Sequence, residues 1–200
     1  MGRFGGEERH ADRQRSGRGL MSWAKAIAFT LRWEGGYVNH KNDKGGPTNR
    51  GITQAVLTAA YASGLVKCQD VRYLTKAEAI AIYKARYWDA YDWGGYPAPI
   101  DQIMFDITVN SGIGNAALIA QRACVSLGSK LDIDGKWGPL SRRALYEQAW
   151  TRGAALAKML LVKRLNFYAA IVASRPDQRV FLPGWRNRTY ALAKDCGIRL

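Results

Sequence analysis

The sequence predicts a mostly α-helical protein with a short, irregular, glycine-rich loop or hairpin after its first helix. Three observations carry that expectation. Apolar residues recur three and four apart in segment after segment, capping residues stand before those segments, and convincing apolar–polar alternation is scarce. Residues 22–33 (SWAKAIAFTLRW) form the first predicted helix, with Ser22 as N-cap and Ala24, Ile27, Ala28 and Leu31 as its apolar face. It should stop at Glu34, because Gly35 and Gly36 follow. The stretch 35–52 has turn signals at Asn42-Asp43 and Gly45-Gly46-Pro47. A second helix is expected over 53–63, capped by Thr53 and ended by Gly64, and a third over 75–88, opened by the capping box Thr75-x-x-Glu78.

An aromatic, Gly/Pro-rich connector, WDAYDWGGYPAP, comes next. Pro99 fits the first position of a helix reaching Ser111, with Ile100, Ile103, Met104 and Ile107 on its face. Further helices are expected over 115–127, 140–149, 153–173 and 187–195. Residues 1–20 are rich in Gly and Arg, lack periodicity and read as a flexible basic tail. Residues 21–200 read as a single domain.

Composition narrows the chemistry. The chain has 200 residues, 48% of them hydrophobic and 23% charged, which is a globular balance. Its longest uncharged run, 51–66, is too short and polar for a membrane span, so no integral membrane association is expected. The first twenty residues contain no apolar stretch of the kind a signal peptide requires. The net charge is +14, of which the tail supplies only +2. Such a surface attracts polyanions, whether nucleic acid, acidic lipid or cell-wall polymer.

The scarce residues exclude several catalysts. His10 and His40 are the only histidines, and no HExxH, CxxC or HxH spacing occurs. Cys68, Cys124 and Cys196 are isolated and odd in number, so they read as free thiols. No GxSxG elbow, Walker A or GxGxxG loop is present. Carboxylates remain, and no cofactor or metal is expected. Asp132-x-Asp134-Gly135 lacks the rest of a calcium loop and reads as a turn.

The chemistry concentrates in 34–53, EGGYVNHKNDKGGPTNRGIT. Glu34 falls at the negative end of a predicted helix dipole, flanked by Trp33 and Tyr37, and both influences favour the protonated acid. A carboxylic acid that keeps its proton is what glycosidic cleavage needs in a general acid. Asp43 and Thr48 follow on a loop able to fold back, where a carboxylate and a hydroxyl hold a water opposite that acid. Asp43 is equally suited to be a turn former, and Thr48 and Asn49 to serve the loop's own hydrogen bonds. Thr53 suits a helix cap better than a catalyst. Tyr37 and Asn49 flank these groups as candidate substrate contacts. Tyr91, Trp93 and Tyr96 are candidate walls for stacking sugar rings, whereas Trp23 and Trp150 read as core. Asp106 and Asn110, four apart, share a helix face and either buttress the cleft or pair with each other; Asn110 is taken as a substrate contact.

The segment EGGYVNHKNDKGGPTNRGIT resembles the signature of family-108 glycoside hydrolases, the lysozyme-like N-acetylmuramidases often encoded by phages. The resemblance makes Glu34 the catalytic acid, and Asp43, Gly45, Gly46, Thr48, Gly51, Ile52 and Thr53 match the rest of the motif. FDITVNSGIGNAA, LDIDGKWGPLS and FLPGWRNRT are similar to that family's C-terminal peptidoglycan-binding-like region, from about residue 100 onward and expected to pack into the same domain. Together they span roughly Ser22 to Cys196, with Ser141 where the pattern usually has Thr; the tail has no counterpart.

The resemblance implies a lysozyme-like helical fold and an endolysin-type muramidase that hydrolyses the β-1,4 bond between N-acetylmuramic acid and N-acetylglucosamine. The implied partner is bacterial peptidoglycan, with no nucleic acid and a monomeric state expected. The protein is expected to be made in the cytoplasm without a signal peptide and to act on the wall in the periplasm after release. The alternative is a non-catalytic peptidoglycan-binding or secretion-assisting protein on the same fold.

Overall fold

The computed structural model describes residues 22–39 and 46–200. The tail 1–20 and Asp43 lie outside the described residues. The chain divides into two compact units, 1–94 and 95–200. Both are built from helices, so the mostly α expectation holds.

In the first unit, α1 covers residues 22–33 and ends one residue before Glu34, as the Gly35-Gly36 pair predicts. Its buried face is Ala26, Ile27, Phe29 and Thr30, while Ala24 and Ala28 are exposed. The expected face was therefore rotated. Phe29 and Ile27 have far more apolar surface to bury than the alanines, and they set the orientation. Trp23 is half-buried and meets Trp88 edge-on, with ring centroids 5.3 Å apart.

The glycine-rich stretch closes as a small hairpin. Strands β1 (Thr48–Asn49) and β2 (Ile52–Thr53) pair antiparallel, Thr48 opposite Thr53 and Asn49 opposite Ile52. Val38 extends the ladder, exchanging N–H···O bonds of 2.8 and 2.9 Å with Thr48. Helix α2 (Gln54–Ala62) follows at once, its N-terminus capped by the Thr53 hydroxyl, which accepts from the Val56 N–H. Helix α3 (Lys76–Tyr83) opens with both halves of the Thr75–Glu78 capping box in place. It then widens into a π-helical turn over Lys84–Trp88, the kind of irregularity often found at functional sites.

The second unit packs three long helices. Helix α4 (Ile100–Ser126) carries its break at Gly112, whose φ of 77° only glycine adopts cheaply. Ile100, Ile103, Met104 and Ile107 are fully buried, as their spacing predicts. By length and composition α4 is apolar enough to cross a membrane, yet every residue from Ile100 to Thr108 is buried, as in the core helix of a packed unit. Cys124 lies in this core, where burial pushes its thiol up to about 12.

Helix α5 (Pro139–Ser174) breaks at Arg152, in the gap the sequence leaves between its two expected helices. Helix α6 (Leu182–Asp195) begins five residues before the expected start at 187. Pro183 is tolerated there, because in a first helical turn its missing N–H has no partner anyway.

One further expectation is corrected here. Trp150 is 61% exposed rather than core. Arg164 is fully buried beside Asp106.

Candidate active site

Glu34 sits half-buried just past the end of α1. What holds the chain around it is the two-residue turn of the hairpin. Arg50 and Gly51 both take positive φ, 52° and 72°, the backbone of a type I′ turn, whose twist matches that of paired strands. Glycine adopts this freely, but arginine does not, so Arg50 needs support. Two hydrogen bonds supply it. The Arg50 N–H donates to the Gly35 carbonyl at 3.0 Å, and the Tyr83 hydroxyl donates to the Arg50 carbonyl at 2.8 Å.

Gly51 forms the floor under the acid. A β-carbon added there would collide with Glu34 Oε2, would fall 2.8 Å from the Glu34 carboxyl carbon, and would lie 2.5 Å from the Tyr83 hydroxyl oxygen. The carboxyl and the phenol therefore press on the same α-carbon. Gly35 and Gly36, by contrast, have open space where a β-carbon would stand. The backbone beside the acid is thus uncrowded on that side.

Tyrosines spaced four apart continue from Tyr83. The Tyr83 and Tyr87 rings lie 5.5 Å apart, and Tyr91 follows one turn later. Burial pushes the Tyr87 phenol above its ordinary value, and the charges of Tyr91 and Glu34 add to the effect while Arg86 opposes it. Tyr87 thus shares Glu34's electrostatic surroundings and keeps its proton. Glu34 is thus a half-buried carboxyl close to the Tyr83 hydroxyl and within electrostatic reach of Tyr87.

The other predicted residues divide. Thr48 is half-buried in β1, where its backbone holds Val38. Tyr37 is exposed, with the Arg72 guanidinium 5.8 Å from its ring centre. Asn49 is buried, and its side-chain amide donates to the carbonyls of Val71 at 2.9 Å and Arg72 at 3.3 Å. Those bonds tie the hairpin to the turn at 71–73. Tyr91 is half-buried, 6.1 Å from the Trp93 ring. Trp93 is 0% exposed, and a ring with no open face has none to offer a sugar.

Asn110 belongs to the second unit. Its carbonyl oxygen accepts from the Tyr168 hydroxyl and from Arg164 at 3.3 Å, which joins it to the ion cluster of Asp106 and Arg164. Asp106 and Asn110 share a face, and Arg164 donates to both. Asp134 is a turn former: its carboxylate accepts from the Lys136 N–H and from Gln121.

Three contributors escaped the sequence reading: Tyr83, Tyr87 and the steric role of Gly51. Tyr83 and Tyr87 lay in the expected third helix and Tyr91 in the connector after it, so the stripe at 83, 87 and 91 was split between two readings.

Comparison with known proteins adds the lineage. Residues 27–112 match the family model described as Glycosyl hydrolase 108, and residues 115–190 match the one described as Predicted Peptidoglycan domain. Among solved structures, that of Brucella abortus SagA is similar, at 27% identity over 90% of this chain and 99% of that chain, with a TM-score of 0.62. No curated protein matches the chain.

Proposed function

We propose, from the match of residues 27–112 to Glycosyl hydrolase 108 and of residues 115–190 to a peptidoglycan domain, that the chain is a muramidase of the endolysin type. It cleaves the β-1,4 bond between N-acetylmuramic acid and N-acetylglucosamine. Glu34 protonates the leaving glycosidic oxygen as general acid, and Asp43, with Thr48, holds the water that attacks from the opposite face. The observation that carries this reading is the seating of Glu34. Its carboxyl rests on Gly51 beside the Tyr83 hydroxyl, with open space over Gly35 and Gly36. A general acid must be held still to protonate a single oxygen, and it must be reachable.

The protein's charge of +14 suits an anionic wall. In this reading it is made in the cytoplasm and meets the wall in the periplasm after release.

Glu34→Gln keeps the shape and hydrogen bonding of the side chain without the transferable proton. Turbidity of permeabilised Gram-negative cells should then stay constant while the variant still sediments with purified wall. Mass spectrometry of fragments released by the wild type should show muramic acid at the reducing end. Glucosamine there, or a freed stem peptide, would refute the bond assignment, and near-normal lysis by Glu34→Gln would refute the mechanism.

A further inference from the structure

Arg72 lies on the surface of the first unit between two tyrosines, 5.8 Å from the ring centre of Tyr37 and 5.9 Å from that of Tyr73. Tyr73 is 69% exposed and Tyr37 39%. The group is fixed rather than loose. The Arg72 N–H donates to the Asp70 carboxylate at 2.8 Å, the Arg72 carbonyl accepts from Asn49, and the Tyr73 N–H donates to the Asp70 carbonyl. Through Asn49 it is fastened to the strand that pairs with Val38, so Tyr37, three residues past Glu34, and Arg72 belong to one braced surface.

Resting on the muramidase reading above, we propose that Tyr37, Arg72 and Tyr73 form a subsite for a carboxylate-bearing sugar of the wall. The chemistry of each part fits. A guanidinium offers paired N–H donors that match the two oxygens of a carboxylate, and stacking on aromatic faces pre-organises that fork. The tyrosine rings offer flat apolar faces with a polar rim, suited to the C–H face of a pyranose and its hydroxyls. No carboxylate of the protein is hydrogen-bonded to the Arg72 guanidinium among the described bonds; Asp70 takes the backbone N–H instead. The carboxylate is either that of the lactyl ether, free only where muramic acid carries no stem peptide, or one belonging to the stem peptide, whose attachment turns the lactyl carboxyl into an amide.

Binding of the full-length Glu34→Gln protein and its double variants tests this without requiring turnover, so a failed muramidase assignment would leave the readout intact. The probes are intact glycan strands, strands stripped of stem peptides by an amidase, and an uncharged N-acetylglucosamine oligomer. Arg72→Gln should weaken binding to intact strands, to stripped strands or to both roughly three- to tenfold, the scale of one partly exposed bidentate pair, and leave the uncharged oligomer unaffected. Arg72→Lys should recover only part of the loss. Tyr73→Ala, at an exposed position, should weaken all three probes. A loss seen on intact but not on stripped strands assigns the ligand to the stem carboxylates, and a loss seen on stripped but not on intact strands assigns it to the lactyl carboxylate that the amidase frees. Equal losses for Arg72→Gln on charged and uncharged glycans, or none on either, would overturn the proposal.

Discussion

Gly51 lies so close to Glu34 that its missing β-carbon would overlap the carboxyl group. The glycine is thus required twice over, by its φ of 72° and by the acid resting on it. Gly51→Ala should cost about 1–3 kcal/mol in backbone strain and should also displace Glu34, lowering lysis at least tenfold. Gly64 provides the control. It has the same φ of 72° but open space around it, so Gly64→Ala should lower the melting temperature and leave specific activity intact. Equal activity losses in the two variants would show that strain, not the displaced carboxyl, is responsible.

Tyr83 supports the same turn from the other side. Its hydroxyl donates to the carbonyl of Arg50, a residue held in a conformation arginine disfavours. Tyr83→Phe keeps the buried ring and removes that donor, at about 1 kcal/mol of stability. The expected kinetic signature is a fall in kcat with little change in KM, because the turn carries the acid rather than the sugar. A pure rise in KM would instead place Tyr83 in substrate binding.

Most helix limits were legible because local chemistry decides them: a Thr53 hydroxyl for α2, a Thr75–Glu78 box for α3, a Gly112 break in α4. What was not legible depends on partners distant in sequence. Nothing within 34–53 shows that Asn49 will be drawn to the carbonyls of Val71 and Arg72, or that Tyr83 will reach Arg50. The ion cluster of the second unit is similar. Asp106 and Asn110 are adjacent on one helix, but the charge that claims both is Arg164, 58 residues from Asp106. Trp93 shows the opposite error, since its Gly/Pro-rich neighbourhood suggests exposure while its ring is enclosed.

Asp43 and Thr48 should rank below Glu34 in a substitution series. Asp43→Asn should lower kcat by about 10²–10⁴, the range of one acid–base contribution. Thr48→Val should cost least, because a water held by a carboxylate loses only one of its contacts. Thr48 also contributes backbone bonds to Val38 that valine preserves, so the hairpin persists. Lysis rates under saturating wall, compared across the three variants, give the order; a Thr48→Val loss as large as that of Glu34→Gln would break it.

The acid stability of the second unit should depend on Asp106. Its carboxylate is fully buried and receives Arg164 at 2.8 Å and Arg188 at 2.7 Å. Burial alone pushes the group up, but the two guanidiniums more than reverse that and hold it below its ordinary value. The unfolded chain therefore binds this proton more readily than the folded one. The stabilisation is fully present above the ordinary carboxylate value near ~4 and is lost as pH falls from there toward the folded value. Asp106→Asn leaves two buried guanidiniums without their carboxylate and should cost about 3–5 kcal/mol at neutral pH. The gap between wild type and variant should hold steady from pH 7 to 5 and then narrow by about 1.4 kcal/mol per pH unit below ~4. Denaturant unfolding at each pH measures it. A gap that narrows between pH 7 and 5 instead would mean that Asp106 already takes up a proton there, contrary to its pairing with two arginines.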